Sequence, residues 1–344
     1  MDKIETRQAI IGLIRDYFIR KGFVEVETPL LVPCPDPSPC NEVFEILAVG
    51  KKRAFLAPSP EFFMKRLIAN GFKRIFQICK AFRNPQETGP LHNPEFTILE
   101  WYRTGADYTD LMVDSENLVN FIYKSFLIQM KNEKLKIKNY KAKIKNLIYY
   151  QDQKIDIAPP WIKLSVKEVF KKYAKVNLDE FLDFRKAKEI AKKRGYRVEK
   201  DTTWEQIYHQ VFLNEVEPKL PKDKSVILYD YPAQLAEGAK LKDSNLKYAE
   251  RFEFYIGGLE LGNGYSELTN WQEQEKRFKI ALTERQRLKM KVFDYDHDFI
   301  NVLKKGLPKC AGMAVGIDRL IMLFTNAKTI KQVIPFPETK IFSS

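Results

Sequence analysis

Two strand-like runs, RIFQICKAFRN at 74–84 and EFTILEWYR at 95–103, are separated by ten residues that include Pro85, Gly89, Pro90 and Pro94. Runs rich in β-branched and aromatic residues on either side of a Pro/Gly loop read as an antiparallel hairpin. No other feature restricts the fold as much, because it commits the chain to a sheet. Side chains alternate along a strand, so Arg83 on one strand and Phe96, Ile98, Glu100 and Tyr102 on the other can line a single surface. That surface offers a cation, rings and a carboxylate together. Arginine suits phosphate or carboxylate, a phenylalanine face can stack on a planar base, and a part-buried glutamate needs a cationic partner. A plain cross-strand ion pair between Arg83 and Glu100, beside ordinary core aromatics, would use the same residues.

In ERFEFYIGGLELGNGYSELTN, residues 250–270, Glu253, Glu260 and Glu267 recur every seven residues with Gly257, Gly258, Gly262 and Gly264 between them. Acidic groups on apolar, glycine-rich strands are costly unless a cation neutralises them. Mg²⁺ bound to substrate phosphates is one such cation and a substrate ammonium another; exposure on a sheet edge is the alternative. In GMAVGIDRL, residues 312–320, Gly312 and Gly316 let something approach the backbone, and Arg319 opens the following helix over the sheet. Close packing explains such glycines as well.

The remaining patterns place these segments. ETRQAIIGLIRDYFIRKGF predicts a long amphipathic helix ended by Gly22, and FVEVETPLL a strand broken by Pro29. SPEFFMKRLIANGF predicts a helix with Ser59 as N-cap and Gly71 as its stop. Helix is expected over 107–130 and mainly over 163–217, and strand again in SVILYDYPAQL and in 251–268. The order argues one α+β domain over 1–344 with a mostly antiparallel sheet and a lysine-rich insertion around 131–160. With 344 residues and 44% hydrophobic content, a large core is available. No run approaches a membrane span and the N-terminus lacks a signal-peptide core, so a cytoplasmic location is expected. Of the four cysteines only Cys34 and Cys40 are close, and with no histidine nearby they read as reduced thiols. The net charge of +13 fits a polyanionic partner, nucleic acid or acidic protein, or compositional drift, and the lysines of 131–146 read as a solvated face or insertion in preference to a dedicated binding patch.

Together these segments resemble the three signature motifs of class II aminoacyl-tRNA synthetases, specifically the lysyl branch. GFVEVETPLL is similar to motif 1 with its proline Pro29, FRN and HNPEFTILEWY to motif 2, and GMAVGIDRL to motif 3 with its arginine Arg319. SPEFFMKRL and MLFTNAKTIKQVIPFP also look lysyl-type. The resemblance implies an adenylate-forming ligase that uses ATP and Mg²⁺. Arg83 and Arg319 would be catalytic: Arg83 would hold the α-phosphate and the amino-acid carboxylate, and Arg319 would cover the adenine that stacks on Phe96. His92, with Asn93, would meet the outer phosphates, and Glu253 and Glu260 would bind the metal with Asn263 in the same site. Glu100, Tyr102 and Glu267 would receive the side-chain ammonium, and Glu61 the other amine. Motif 2 departs from the lysyl pattern in that Pro85 follows Asn84, which leaves Glu87 to take over the adenine-side contact.

Motif 1 begins near residue 22, which leaves no room ahead of it for the anticodon-binding domain of a lysyl-tRNA synthetase. A stand-alone lysyl-like core resembles the elongation factor P β-lysine ligases, which join (R)-β-lysine to a lysine of that translation factor. ILEWYR and Ala314, where lysyl synthetases carry glycine, fit that branch. The resemblance therefore implies elongation factor P as partner, lysine or (R)-β-lysine as substrate, a homodimer built through motif 1 whose contact buries the apolar stripe of helix 5–20, and tRNA or another small acceptor as the alternative.

Overall fold

The structure, a computed structural model, describes residues 3–39, 42–47, 50, 52–84, 89–135 and 146–342. Helix α1 (Lys3–Arg20) opens the chain and gives way at Gly22, whose φ of +74° is the left-handed region that glycine adopts freely. The elements that follow are β1 (Val24–Glu25), α2 (Glu61–Ala69), β2 (Arg74–Phe82), β3 (Glu95–Thr104) and α3 (Tyr108–Leu135). Next come β4 (Ile162–Ser165), β5 (Val226–Pro232), β6 (Leu241–Lys242), β7 (Asn245–Ile256) and β8 (Leu259–Ser266). Helices α4 (Trp271–Arg287) and α5 (His297–Lys305), strand β9 (Cys310–Gly316) and helix α6 (Ile317–Thr325) complete the frame.

These strands form one sheet in the order β1-β2-β3-β9-β8-β7-β5-β4, with β6 beside β7. Only the β1–β2 and β4–β5 pairs are parallel, so the chain has the mostly antiparallel α+β architecture expected. The hairpin is real: β2 and β3 pair antiparallel from Arg74↔Arg103 to Phe82↔Glu95. Its faces divide by parity. Phe76, Leu99 and Trp101 enter the main core, where Phe18 of α1 stacks on Phe76 at 4.9 Å and lies 5.2 Å from Trp101. Phe96, Ile98, Glu100 and Tyr102 point the other way, into a cavity.

Several expectations are corrected. FVEVETPLL is not one strand: Val24–Glu25 joins the main sheet, whereas Leu31–Val32 belongs to a separate three-stranded sheet with Glu45–Leu47 and Arg53–Leu56. The apolar stripe of α1, Ile10, Leu13, Ile14, Tyr17 and Phe18, is buried within this chain, so it is not free to form a subunit contact. Pro60, not Ser59, is the N-cap of α2, although the Ser59 hydroxyl accepts from the Glu61 backbone amide at 3.1 Å. In the lysine-rich segment, residues 136–145 lie outside the described residues, but Leu147–Tyr150 and Gln153–Asp156 form a hairpin that sends Ile148, Tyr150 and Ile155 into the main core. The helical region expected over 163–217 is present as short helices around a second core of Phe170, Phe181, Trp204, Tyr208 and Phe212, which also takes in Tyr231 and Tyr255 of the sheet.

Candidate active site

A cavity of about 390 Å³ lies on the face of the sheet opposite α1 and α3, floored by β3, β9, β8 and β7. Its two ends differ in chemistry.

One end is built around Arg319, in the first turn of α6. Its Nη1 donates to the Glu260 carbonyl at 2.9 Å and to Glu260 Oε2 at 3.3 Å, and its Nη2 donates to His92 Nε2 at 3.1 Å. Burial, and then the Arg319 charge, lower the His92 pKa, which suits a neutral ring accepting at Nε2. The preceding residue, Asp318, is buried and ion-paired with Arg7, and its second oxygen accepts from the Thr97 amide at 2.6 Å. Sequence reasoning missed Asp318, which clamps the start of α6 to β3 and so fixes where Arg319 stands. Arg83 follows β2 directly and places its guanidinium over the Phe96 ring, 5.4 Å from the centroid. It makes no ion pair with Glu100, which answers the simpler reading of that pair. Asn93 lines the cavity, but its amide serves the backbone: Nδ2 donates to Glu95 O at 2.7 Å and Oδ1 accepts from Glu338 N at 3.1 Å. Glu87 and Pro85 fall in residues 85–88, outside the described residues.

Glu253 and Glu260 face this same cavity from β7 and β8. Glu253 Oε2 accepts from Tyr231 and Tyr255, both at 2.6 Å, and Oε1 accepts from Arg251 Nη2 at 3.0 Å. Burial and the neighbouring Glu260 nonetheless raise its pKa, against the pull of Arg251. Each carboxylate has one arginine partner, Arg251 for Glu253 and Arg319 for Glu260, and both still face the cavity. Mg²⁺ is ordinarily held by one or two carboxylates together with substrate phosphates, and this pair fits that mode. Among the described residues no cluster of three or more His, Cys, Asp or Glu forms a complete metal cage. Arg251, also missed in the sequence, joins the parts: its Nε donates to Asn263 Oδ1 at 3.0 Å and its Nη1 lies 3.1 Å from Glu237 Oε1.

The other end is acidic. Glu100 is buried, with Oε1 accepting from Ser59 Oγ at 2.5 Å and Oε2 from Tyr102 OH at 3.0 Å. Burial and the nearby Glu61 push its carboxyl up to about 7. Lys65 of α2, fully buried and held charged by its acidic neighbours, pairs with both Glu61 and Glu267. Glu267 therefore lies behind the cavity wall, not on it. Burial pushes its carboxyl up to about 8, opposed by Lys65, and its Oε1 has no hydrogen-bond partner among the described residues. Gly312 alone separates that oxygen from Tyr102: a methyl built there would stand 2.2 Å from Tyr102 Cε1 and 2.4 Å from Glu267 Oε1. Gly262 and Gly264, by contrast, make room for Met313 and the Phe254 and Phe252 rings, so their role is packing. Asp36 and Glu237 also line the cavity, and burial with Glu61 pushes Asp36 up to about 7. Ala314 sits in the floor between Asn263 of β8 and Glu100 of β3.

The cavity thus sets Arg83 and Arg319 with a carboxylate couple at one end against an excess of carboxylates at the other. Residues 1–340 match the family described as tRNA synthetases class II (D, K and N), and the chain belongs to that family of adenylate-forming ligases. It is 35% identical over 340 residues to the lysine–tRNA ligase of Edwardsiella ictaluri (strain 93-146), covering 98% of this chain and 63% of that protein. The lysine–tRNA ligase of Yersinia pestis (strain Pestoides F) is likewise 35% identical over 334 residues, 97% of this chain and 62% of that protein. The chain thus spans a little under two-thirds of the length of these relatives.

Proposed function

We propose that the protein activates lysine or (R)-β-lysine as an adenylate and transfers it to a lysine side chain of elongation factor P, working as a cytoplasmic homodimer. The observation that carries the activation step is the division of one cavity into an end bearing Arg83 and Arg319 and an acidic end. In this reading the substrate carboxylate attacks the α-phosphorus of ATP, a P–O bond forms, and pyrophosphate leaves with the electrons of the broken bond. Arg83 and Arg319 stabilise the charge that spreads over the phosphoryl oxygens. His92 receives the outer phosphates, Phe96 stacks on adenine, and Asn263 orients the carboxylate. Mg²⁺ held by Glu253 and Glu260 would neutralise the triphosphate. Glu100 and Tyr102 attract the distal ammonium and Glu61 the proximal amine, with Glu267 behind the wall holding Lys65 and Ala314 filling the space beside the carboxylate.

In the second step the acceptor amine, deprotonated, attacks the carbonyl carbon, an amide forms, and AMP departs. The lysyl-type core with ILEWYR and Ala314 supports a protein acceptor. The names of the relatives favour a second reading, in which a tRNA hydroxyl is the acceptor. Incubating the enzyme, ATP and labelled amino acid with elongation factor P and with tRNA, each labelled product being counted, tests the acceptor: label on tRNA alone would refute the protein-ligase reading.

A further inference from the structure

The charge of +13 is concentrated in two places. Residues 163–200 hold thirteen Lys/Arg against six Asp/Glu and residues 131–146 seven Lys against one Glu; the rest of the chain carries 38 of each sign. The first of these segments is an ordered helical lobe. Its short helical segments, Val166–Val169, Phe170–Ala174, Leu178–Phe181 and Phe184–Lys193, turn Val169, Phe170, Phe181, Ala187 and Ala191 into the second core. Their outer faces expose Lys171, Lys172, Arg185, Lys186, Lys192 and Lys193, none of which has an ion-pair partner among the described residues. The neighbouring Lys167, Arg194 and Arg197 are paired, with Asp179, Glu215 and Glu199. Unpaired like charges repel one another and produce a strong local field.

The lobe is also mechanically part of the site. Its core contains Tyr231 and Tyr255, the two residues whose hydroxyls hold Glu253. Anything seated on the lobe is therefore fixed relative to the cavity. With the equally exposed Lys175 and Lys200, the cations of residues 163–200 that are exposed and without an ion-pair partner among the described residues are seven lysines and one arginine. Recognition of nucleic-acid phosphates favours the planar, bidentate arginine fork, whereas ammonium groups on long stems meet scattered carboxylates equally well.

We infer that this outer face of residues 163–200 docks an acidic surface of the protein that accepts the activated amino acid. The inference rests on the adenylation and protein-acceptor reading above and adds where the acceptor binds. The test is the variant K171E/K186E/K192E/K193E, with the corresponding four Lys→Gln changes as a second variant matched by thermal melting. None of these residues lines the cavity, so amino-acid-dependent ATP–pyrophosphate exchange should remain at the wild-type rate. Binding of elongation factor P, followed by fluorescence anisotropy, should weaken at least roughly tenfold in the charge-reversed protein, because steering by opposite charge is lost. The wild type should show a similar loss on adding salt, and the variant little further loss. Unchanged binding of the factor overturns the inference, as does a loss confined to tRNA binding, which would make the lobe an RNA surface. Absence of exchange in the wild type would instead refute the adenylation reading, while the binding comparison still decides the surface.

Discussion

Gly312→Ala should disable the amino-acid end of the site while leaving the nucleotide end intact. The backbone of β9 at this position is ordinary strand, so the effect comes from space and not from conformation. The added methyl would meet Tyr102 Cε1 at 2.2 Å and Glu267 Oε1 at 2.4 Å, well inside van der Waals contact. Neither neighbour can retreat without loss: Tyr102 holds Glu100 at 3.0 Å, and Glu267 is ion-paired with Lys65 in the buried interior. Overpacking of this kind costs about 1–3 kcal/mol of stability. Displacing one oxygen from a charged ammonium costs about 1.5–3 kcal/mol of binding, which corresponds to roughly 10–100-fold in affinity. Pyrophosphate exchange at varied lysine and varied ATP reads the two ends separately. The expected result is a lysine KM raised by that factor with the ATP KM nearly unchanged. A variant with wild-type lysine KM and wild-type thermal stability would show that Gly312 does not set the position of Tyr102 and Glu100 at the substrate end.

Glu260→Gln should lower exchange roughly a hundredfold or more without unfolding the protein, because it removes charge where Mg²⁺ and triphosphate are balanced; near-normal exchange at saturating Mg²⁺ would count against the metal role. Because the Glu100 carboxyl is pushed up to about 7 and an ammonium binds its ionised form, the lysine KM should rise about tenfold as pH falls from about 8 to 6, and Glu100→Gln should flatten that slope. Ala314→Gly should shift kcat/KM about tenfold toward α-lysine relative to (R)-β-lysine; an unchanged ratio removes Ala314 as the discriminator. Sedimentation should show a dimer at micromolar concentration, with the half-exposed Val24 and exposed Leu31 as its apolar contacts now that the α1 stripe is accounted for internally; a monomer contradicts it.

The hairpin was readable from sequence because alternation encodes which face each side chain takes, and Ile98, Glu100 and Tyr102 kept that parity. The Glu253–Glu260 couple was readable because a charge on a glycine-rich or apolar strand needs a partner, and Arg319 because it opens a helix directly after the glycine-flanked strand. Lys65, Arg251 and Asp318 were not. Each sits in an unremarkable helical or strand pattern, and its role depends on contacts with residues distant in sequence, such as Lys65 with Glu267 and Arg7 with Asp318. The split of residues 24–32 between two sheets was hidden too, because two-residue strands take their pairing from the partner strand and have almost no period of their own. Asn93 shows the reverse error: a polar residue beside the site that the fold uses to hold its own backbone.

In the proposed reaction one cavity couples ATP to a diamino acid. Purified protein with ATP, Mg²⁺ and labelled pyrophosphate should incorporate label into ATP when lysine or (R)-β-lysine is present, and not when either is replaced by an acidic amino acid. No exchange with either diamino acid, or exchange indifferent to which amino acid is added, would contradict the account.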